Sequence, residues 1–388
     1  MRERERDLKL SNTKFAKTEF DLEKSGFCQN KRGKNGEFLP KSKAGSLAAT
    51  PLLTASQEDP LVSVIVPFYN SEHFLPRLIK CLKSQTLQSI EFILVDDGST
   101  DAGLQTALEL IDNDPRFTLL TQQNRGLYET RKVGFHAARG EFVSVVDSDD
   151  YVSSDIFSHL LDLAKTHNGQ IVICEFKVVE FSELNKDASF PQTPFKTRVF
   201  QNANEYLKDL ILAELNFRPC SMAWARIFLK TLALEALSKA PTADELAEDF
   251  VMNVAIGLKA SRVVKSDKIC YAYVRRQSSM SHKYTPKNLQ FLEENYEKIS
   301  TLLQDLPSLN GLFTQMKRCR LALISAYMAL MGESFSKDQR RERVRILRKE
   351  LGYIFKSKMA FKGKILALLL CVCPKLALFL LKHTPRKR

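Results

Sequence analysis

Short apolar runs alternate with amphipathic stretches between residues 60 and 145. The first run, VSVIV at 62–66, predicts a buried strand that ends near Pro67. The next stretch, SEHFLPRLIKCLKSQ, has apolar residues at helical spacing and Ser71 as a candidate N-cap. The alternation continues through IEFILV, GLQTALELI, FTLL, YETRKVGFHAA and FVSVV. Strands that alternate with helices predict an α/β fold, with a mostly parallel sheet and helices on both of its faces.

Two of these predicted strands end in clusters of carboxylates, VDDGSTD and VDSDDYV. Ligands of such sheets lie beyond the carboxyl ends of the strands. Crowded carboxylates raise one another's pKa unless a cation neutralises them, and oxygen ligands of this kind suit Mg²⁺ or Mn²⁺. Helix capping is the alternative, and Asp101 and Asp155 suit that role. Two acidic turns on one sheet favour a site for a metal and a phosphate group.

Composition places the charge of the chain in one segment. The chain has 388 residues, 44% of them hydrophobic, and a net charge of +13. Residues 337–388 contain 16 Lys/Arg and 3 Asp/Glu, so this segment alone accounts for the excess. Its basic amphipathic pattern and its two short apolar runs, broken at Pro374, favour helices that lie on an anionic membrane surface. A helical subdomain that only packs on the rest of the chain is the alternative. No aromatic platform accompanies the charge, which argues against nucleic acid.

The cysteines and the apolar runs bear on location. Eight cysteines occur without a C-x-x-C pair, which predicts free thiols in a reducing compartment. The charged N-terminus and the absence of any run of about 18 apolar residues predict a cytoplasmic protein, peripheral on the inner face of the membrane. We expect three parts: a polar, mostly disordered extension at 1–58, an α/β domain at 59–282 and a basic helical region at 283–388.

Four blocks of sequence carry a family resemblance. VSVIVPFYN, ILVDDGSTD, NRGLYETRKVGFHAARGEFVSVVDSDDYV and ELAEDFVMN lie in this order within roughly 60–282 and together resemble the family 2 glycosyltransferases. The resemblance implies a GT-A fold, a Rossmann-like and mostly parallel sheet with flanking helices. It also implies inverting transfer of a sugar from a nucleotide-diphosphate donor, with Mn²⁺ or Mg²⁺ as cofactor. We expect a UDP-sugar donor and a glycan or lipid-linked acceptor, in cell-surface polysaccharide or lipooligosaccharide synthesis.

The resemblance assigns the nucleotide side of the site. Pro67 and Asp97 are expected at the base, where a carboxylate accepts from the imide N–H of uracil, and Asp96 is expected to support the turn. Arg131 is expected near the ribose or the pyrophosphate. Lys132 departs from the family, which usually has asparagine after this arginine.

The resemblance also assigns the metal motif. Asp149 is expected to ligate the metal directly, while Asp147 reaches the ribose or a water on the metal. Asp150 is expected at the donor sugar or in the loop itself. Arg275 or Arg276, in YAYVRRQSSMS, is expected to close over the pyrophosphate; a solvated surface arginine is the alternative.

The acceptor side needs a base, because an attacking hydroxyl must lose its proton. Glu248 and Asp249 match the Glu-Asp pair of the family, and acidic residues at a helix start are also favourable by themselves. Position alone does not choose between the two, and the family match favours Asp249 as the base. Trp224 stands where the family has a tryptophan, either stacking on a sugar or filling the core.

Two other classes of protein remain open from the sequence. A non-catalytic nucleotide-sugar-binding protein would keep the fold, but the acidic motifs argue against it. A nucleotidyltransferase would be expected to have a glycine-rich phosphate loop, which VPFYNSE is not.

Overall fold

One mixed sheet with helices on both faces forms the larger part of the described protein. The computed structural model describes residues 49–55, 60–181, 189–191, 193–218, 220–243, 246–276 and 284–383. The strands are β1 Thr50–Leu53, β2 Val62–Phe68, β3 Ile90–Asp96, β4 Phe117–Thr121, β5 Phe142–Val145, β6 Tyr151–Val152, β7 Ile171–Glu180, β8 Thr197–Phe200, β9 Arg226–Leu229 and β10 Val263–Arg275. The helices are α1 Leu75–Lys83, α2 Gly103–Ile111, α3 Leu127–Ala137, α4 Ile156–His167, α5 Ala203–Leu215, α6 Lys230–Lys239, α7 Glu248–Gly257, α8 Pro286–Leu302, α9 Pro307–Met331, α10 Lys337–Lys356, α11 Phe361–Val372 and α12 Pro374–His383.

The sheet has a parallel part and a mixed part. Its strand order is β1-β4-β3-β2-β5-β9-β7-β10-β6, with β8 also paired to β10. Strands β4, β3, β2 and β5 are parallel to one another, whereas β9 runs antiparallel to both β5 and β7. The predicted α/β fold is therefore confirmed, and the parallel part contains the strands that precede the acidic turns.

Helices on both faces explain why β2 and β3 are mostly apolar. Every residue of β2 and of β3 is buried. Along β2, Val64 belongs to the core cluster that includes α1, while Ile65 belongs to the opposite cluster with α3. Neighbouring side chains of a strand point to opposite faces, so a strand covered on both sides is apolar at most positions. The buried exceptions Ser63 and Glu91 satisfy each other, since the Ser63 hydroxyl donates to Glu91 Oε1 at 2.6 Å.

One local prediction is wrong, and another has an exception. Ser71 does not cap α1, which begins at Leu75 after Phe74 without a side-chain cap. Within the predicted disordered extension, Thr50–Leu53 forms β1, paired antiparallel to β4. This edge strand is mostly exposed and so lacks a strong apolar pattern. The rest of that extension, 1–48 and 56–58, lies outside the described residues.

The predicted helical region after residue 283 is confirmed over residues 286–383. Val344, Leu347 and Ile354 of α10 are buried in the same core cluster as residues of α9 and α7. None of the described helices is both long and apolar enough to cross a membrane. The seven cysteines of the described residues are free thiols.

Candidate active site

Hydrogen bonds join the loops that follow β2, β3 and β5. The Ser71 hydroxyl lies 2.9 Å from that of Ser148, which connects the loop after β2 to the acidic loop after β5. Asn70 accepts at its side-chain oxygen from the backbone N–H of Thr100, at 2.8 Å, in the loop after β3. Both acidic turns therefore lie at one edge of the sheet, as expected for parallel strands.

The first acidic turn uses Asp96 for its own structure. Asp96 accepts from the backbone N–H of Ser99 and from the hydroxyl of Thr121, each at 2.9 Å. This agrees with the role expected for Asp96. Pro67 is buried inside β2, opposite Val95 of β3.

Asp97 holds the loop that leads into α3. One carboxylate oxygen accepts from Gln122 Nε2 at 2.8 Å and from the backbone N–H of Arg125 at 2.9 Å. The other oxygen accepts from the backbone N–H of Gly126 at 2.9 Å. These bonds give Asp97 a clear structural role, and its contact with a nucleotide base stays a prediction.

Arg131 joins the second acidic turn to the Glu-Asp pair. This side chain is only 1% exposed. Its Nη2 lies 3.1 Å from Asp147 Oδ1, and its Nη1 contacts Asp249 Oδ1 and lies 3.4 Å from Glu248 Oε1. The structure thus places Arg131 among three carboxylates, and contact with a ribose or pyrophosphate stays a prediction. Lys132 instead contacts residues of its own helix, pairing with Glu129 at 3.2 Å.

One cation among three carboxylates leaves this cluster short of positive charge. Burial raises the pKa of Asp147 to about 6; Arg131 opposes this shift, and Asp249 and Asp149 add to it. Burial, with the charge of Asp249, raises the pKa of Glu248 to about 8. Burial would lower the pKa of Arg131, but the three carboxylates raise it above its ordinary value. A further cation at this position would be electrostatically favourable.

Asp149 faces Arg276. Its Oδ2 accepts from Arg276 Nε at 2.7 Å and lies 2.6 Å from Nη2. The guanidinium also lies over the ring of Phe74, 4.5 Å from the centroid. Arg275 pairs instead with Glu180 at 2.7 Å. Of the two candidate arginines, the structure places Arg276 at the acidic turn.

The carboxylates of the second turn suit a metal site in which a phosphate group of the substrate supplies some of the ligands. Among the described residues, no group of three or more His, Cys, Asp or Glu side chains is arranged to hold a metal ion alone. Mg²⁺ and Mn²⁺ are commonly bound by one or two carboxylates together with phosphate oxygens. Asp147 and Asp149 supply such a pair, in a cluster that is short of positive charge.

Asp150 belongs to the framework of the loop. It is buried, and it accepts from the hydroxyl of Tyr271 at 2.7 Å and from the backbone N–H of Val274 at 2.8 Å. These contacts favour the loop over the donor sugar for Asp150. Trp224 stacks on Tyr271 with 4.3 Å between the ring centroids and is 3% exposed, so it fills the core.

Asp249 has a second anchor besides Arg131. Its Oδ2 accepts from the backbone N–H of Ala223 at 3.1 Å. Arg226 donates to Asn253 Oδ1 at 2.7 Å, and Asn253 Nδ2 donates to the carbonyl oxygens of Ser221 and Met222. The polar pairing of Arg226 with Asn253 fixes the segment before β9 against α7. In the sequence this pair is visible only as two polar residues in apolar surroundings.

The fold and this arrangement of carboxylates agree with the resemblance to glycosyltransferases of the GT-A fold. Residues 63–226 match the profile of Glycosyl transferase family 2. An uncharacterized glycosyltransferase, EpsJ of Bacillus subtilis strain 168, is 31% identical over 239 residues, which are 61% of this chain and 68% of EpsJ. The chain belongs to glycosyl transferase family 2.

Two further comparisons agree with this membership. The cholesterol galactosyltransferase of Borreliella burgdorferi is 30% identical over 266 residues, covering 66% of this chain and 68% of that protein. The crystal structure of S. aureus TarS 1–349 with UDP-GlcNAc has a similar fold, with a TM-score of 0.55 and 21% identity. That match covers 80% of this chain and 86% of the TarS chain.

Proposed function

We propose that this glycosyltransferase moves a sugar, with inversion at the anomeric carbon, from a UDP-sugar to a glycan or lipid-linked acceptor. The observation that carries the proposal is that Arg131 brings Asp147 of the acidic turn and Asp249 of the Glu-Asp pair to one guanidinium. In an inverting transfer, the acceptor hydroxyl attacks one face of the anomeric carbon while the diphosphate leaves from the opposite face. The groups that serve the donor and the acceptor must therefore lie close together, around that carbon. The UDP-GlcNAc bound by TarS supports a uridine donor.

Each residue has a role in this proposal. Asp97 and the end of β2 at Pro67 hold the base, and Arg276 turns from Asp149 toward the diphosphate. Asp249 accepts the proton of the attacking hydroxyl, while Glu248 lies beside it at the start of α7, 3.4 Å from Arg131 Nη1. Asp150 holds the acidic loop in place through its hydrogen bonds to Tyr271 and Val274. The acceptor would belong to the synthesis of a cell-surface polysaccharide or lipooligosaccharide.

Asp149 and Asp147 would hold Mn²⁺ or Mg²⁺. A metal at this point supplies a Lewis acid that neutralises charge on the departing nucleoside diphosphate. We expect Asp149→Ala to abolish Mn²⁺ binding in the presence of UDP, and Asp147→Ala to weaken it strongly. Electron paramagnetic resonance of Mn²⁺ measures this without any turnover. Unchanged binding by Asp149→Ala would contradict the metal assignment.

Donor use is tested by a screen of UDP-, GDP- and TDP-sugars with Mn²⁺ and with Mg²⁺, in which released nucleoside diphosphate is measured. We expect release from at least one UDP-sugar by the wild type and none by Asp149→Ala. Tight binding of a UDP-sugar without release or transfer to any acceptor would favour the non-catalytic binding protein.

We also propose that α11 and α12 lie on an anionic membrane surface at the cytoplasmic face. Phe361 and Val372 are 73% and 75% exposed, and Leu376 is 45% exposed. The segment 337–388 that contains them has the whole net charge of +13. Apolar side chains beside an excess of lysine and arginine complement an anionic bilayer. A membrane position would bring the site to a lipid-linked acceptor.

Vesicle sedimentation of the full chain tests this surface. We expect binding to mixed phosphatidylglycerol and phosphatidylcholine vesicles, but not to pure phosphatidylcholine. Salt should weaken the binding, because screening acts over about 10 Å at 0.1 M. Phe361→Ser combined with Val372→Ser should reduce it, whereas Phe181→Ser, exposed at 51% and outside this segment, should not. Equal vesicle binding by both variants would contradict the proposal. If the wild type instead forms concentration-dependent dimers that the double variant does not form, the exposed surface binds a second copy of the chain.

A further inference from the structure

The helix that presents Glu248 and Asp249 begins with an unfavourable backbone. Leu246 and Ala247 both have positive φ, 64° and 65°, directly before α7. Residues other than glycine disfavour this left-handed region, because their Cβ comes close to the following carbonyl oxygen. Two such residues in succession persist only where the surrounding structure holds them.

A side chain of α8 holds this turn. Asn295 is fully buried, and its Nδ2 donates to the carbonyl oxygen of Leu246 at 2.8 Å. Its Oδ1 accepts from Lys298 Nζ at 3.0 Å, which fixes the orientation of the amide. The carbonyl of Leu246 is therefore anchored from a helix outside the family's sequence blocks.

The same helix packs beside the turn. Phe250, next to Asp249, meets Tyr296 edge-on with 6.3 Å between ring centroids, and both rings lie about 6 Å from Phe313 of α9. Apolar packing of this kind fixes how closely α7 and α8 approach, but it does not specify a backbone conformation. The hydrogen bond from Asn295 does specify one, because it requires the Leu246 carbonyl to point at α8.

We propose that Asn295 is a positioning residue for the transfer reaction. By holding the left-handed Leu246–Ala247 turn, it directs α7 so that Asp249 reaches Arg131 and the backbone N–H of Ala223. The inference rests on the proposed role of Asp249 as the base. It makes α8 a support for the geometry of the active site.

A matched pair of variants separates positioning from stability. Asn295→Asp retains the shape and the contact with Lys298, but it places a carboxylate oxygen against the Leu246 carbonyl. Asn288→Asp makes the same change in the same helix at a residue that is 7% exposed and bonded to Thr285. The readouts are kcat and KM for hydrolysis of the UDP-sugar that the wild type cleaves fastest, the Kd of UDP with Mn²⁺, and Tm.

We expect Asn295→Asp to lower kcat by roughly 10- to 100-fold, as small misplacements of catalytic groups do, with the Kd of UDP unchanged. Asn288→Asp should retain kcat. Adding Ala247→Gly to Asn295→Asp should recover part of kcat, because glycine adopts positive φ without the steric cost. If Asn295→Asp does not fold, Asn295→Ala replaces it, with the same expected loss of kcat.

Three results would overturn the inference. Normal kcat in Asn295→Asp beside an inactive Asp249→Asn would refute the positioning role alone. Normal kcat in both variants would refute the base assignment and the inference together. A lower Tm with unchanged kcat per folded molecule would show that Asn295 only stabilises the fold.

Discussion

Three carboxylates share the guanidinium of Arg131, and they come from two separate sequence blocks. Removing one partner of a buried ion pair commonly costs 3–5 kcal/mol, because the remaining charges stay buried without compensation. We therefore expect Arg131→Met to lower the free energy of unfolding by about that amount, measured by urea denaturation. Arg275→Met, which breaks the more exposed pair with Glu180, should cost about 0–1 kcal/mol. Similar losses in the two variants would contradict the buried cluster.

Glu248 provides a prediction on pH. Its pKa is raised by burial to about 8 in the folded protein, from an ordinary value of 4.5. Between these values the folded state binds the proton more tightly than the unfolded state, so stability is lost as pH rises through this window. The slope is at most about 1.4 kcal/mol per pH unit for one group. Glu248→Gln should therefore make the free energy of unfolding, measured by urea denaturation, fall less steeply between about pH 5 and pH 8. An unchanged slope would contradict the raised pKa of Glu248.

The residues of the candidate site could be named from the sequence, but their contacts could not. Asp147, Asp149 and the Glu-Asp pair stand out as acidic clusters at a strand end and at a helix start. The contact of Arg131 with Asp249 spans 118 positions, and pattern and spacing have no information about such distant pairs. Resemblance led to a different expectation for Arg131, at the ribose or pyrophosphate. The Asn295 contact lies outside all the sequence blocks.

At the scale of elements, α3 approaches β2 closely at Gly134. A Cβ on Gly134 would overlap the side chain of Ile65. We expect Gly134→Ala to lower stability by roughly 1–3 kcal/mol through overpacking. Gly311→Ala, in α9 with open space around the added carbon, should instead raise stability by up to about 1 kcal/mol. Thermal unfolding measures both, and a stabilised Gly134→Ala would contradict the close packing.

Elements were predictable where their pattern was strong. The strands β2, β3 and β5 have apolar residues on both faces, and the helix α1 between β2 and β3 has apolar residues at helical spacing. The edge strand β1 was not predictable, because most of its side chains are exposed. Ser71 was misassigned as a cap because its hydroxyl bonds to the distant Ser148 instead of to the helix backbone.

Across the whole protein, the basic C-terminal segment has two separate roles: α10 packs in the core, and α11 and α12 are proposed to bind the membrane. Truncation at residue 336 would remove Val344, Leu347 and Ile354 from the core, so it would not test membrane binding alone. The exposed residues of α11 and α12 are the better targets, since their loss leaves the core intact. Whether catalysis needs the membrane then follows from transfer assays with and without anionic vesicles.

The most direct test is the turnover of Asp249→Asn beside its affinity for UDP and Mn²⁺. Asparagine keeps the size of the side chain and removes its basicity, so binding measured by calorimetry should stay close to that of the wild type. Turnover should fall by about 10²–10⁴-fold, the usual contribution of a general base. Normal turnover in Asp249→Asn with an inactive Glu248→Gln would reverse the two roles, and normal turnover in both variants would contradict the account.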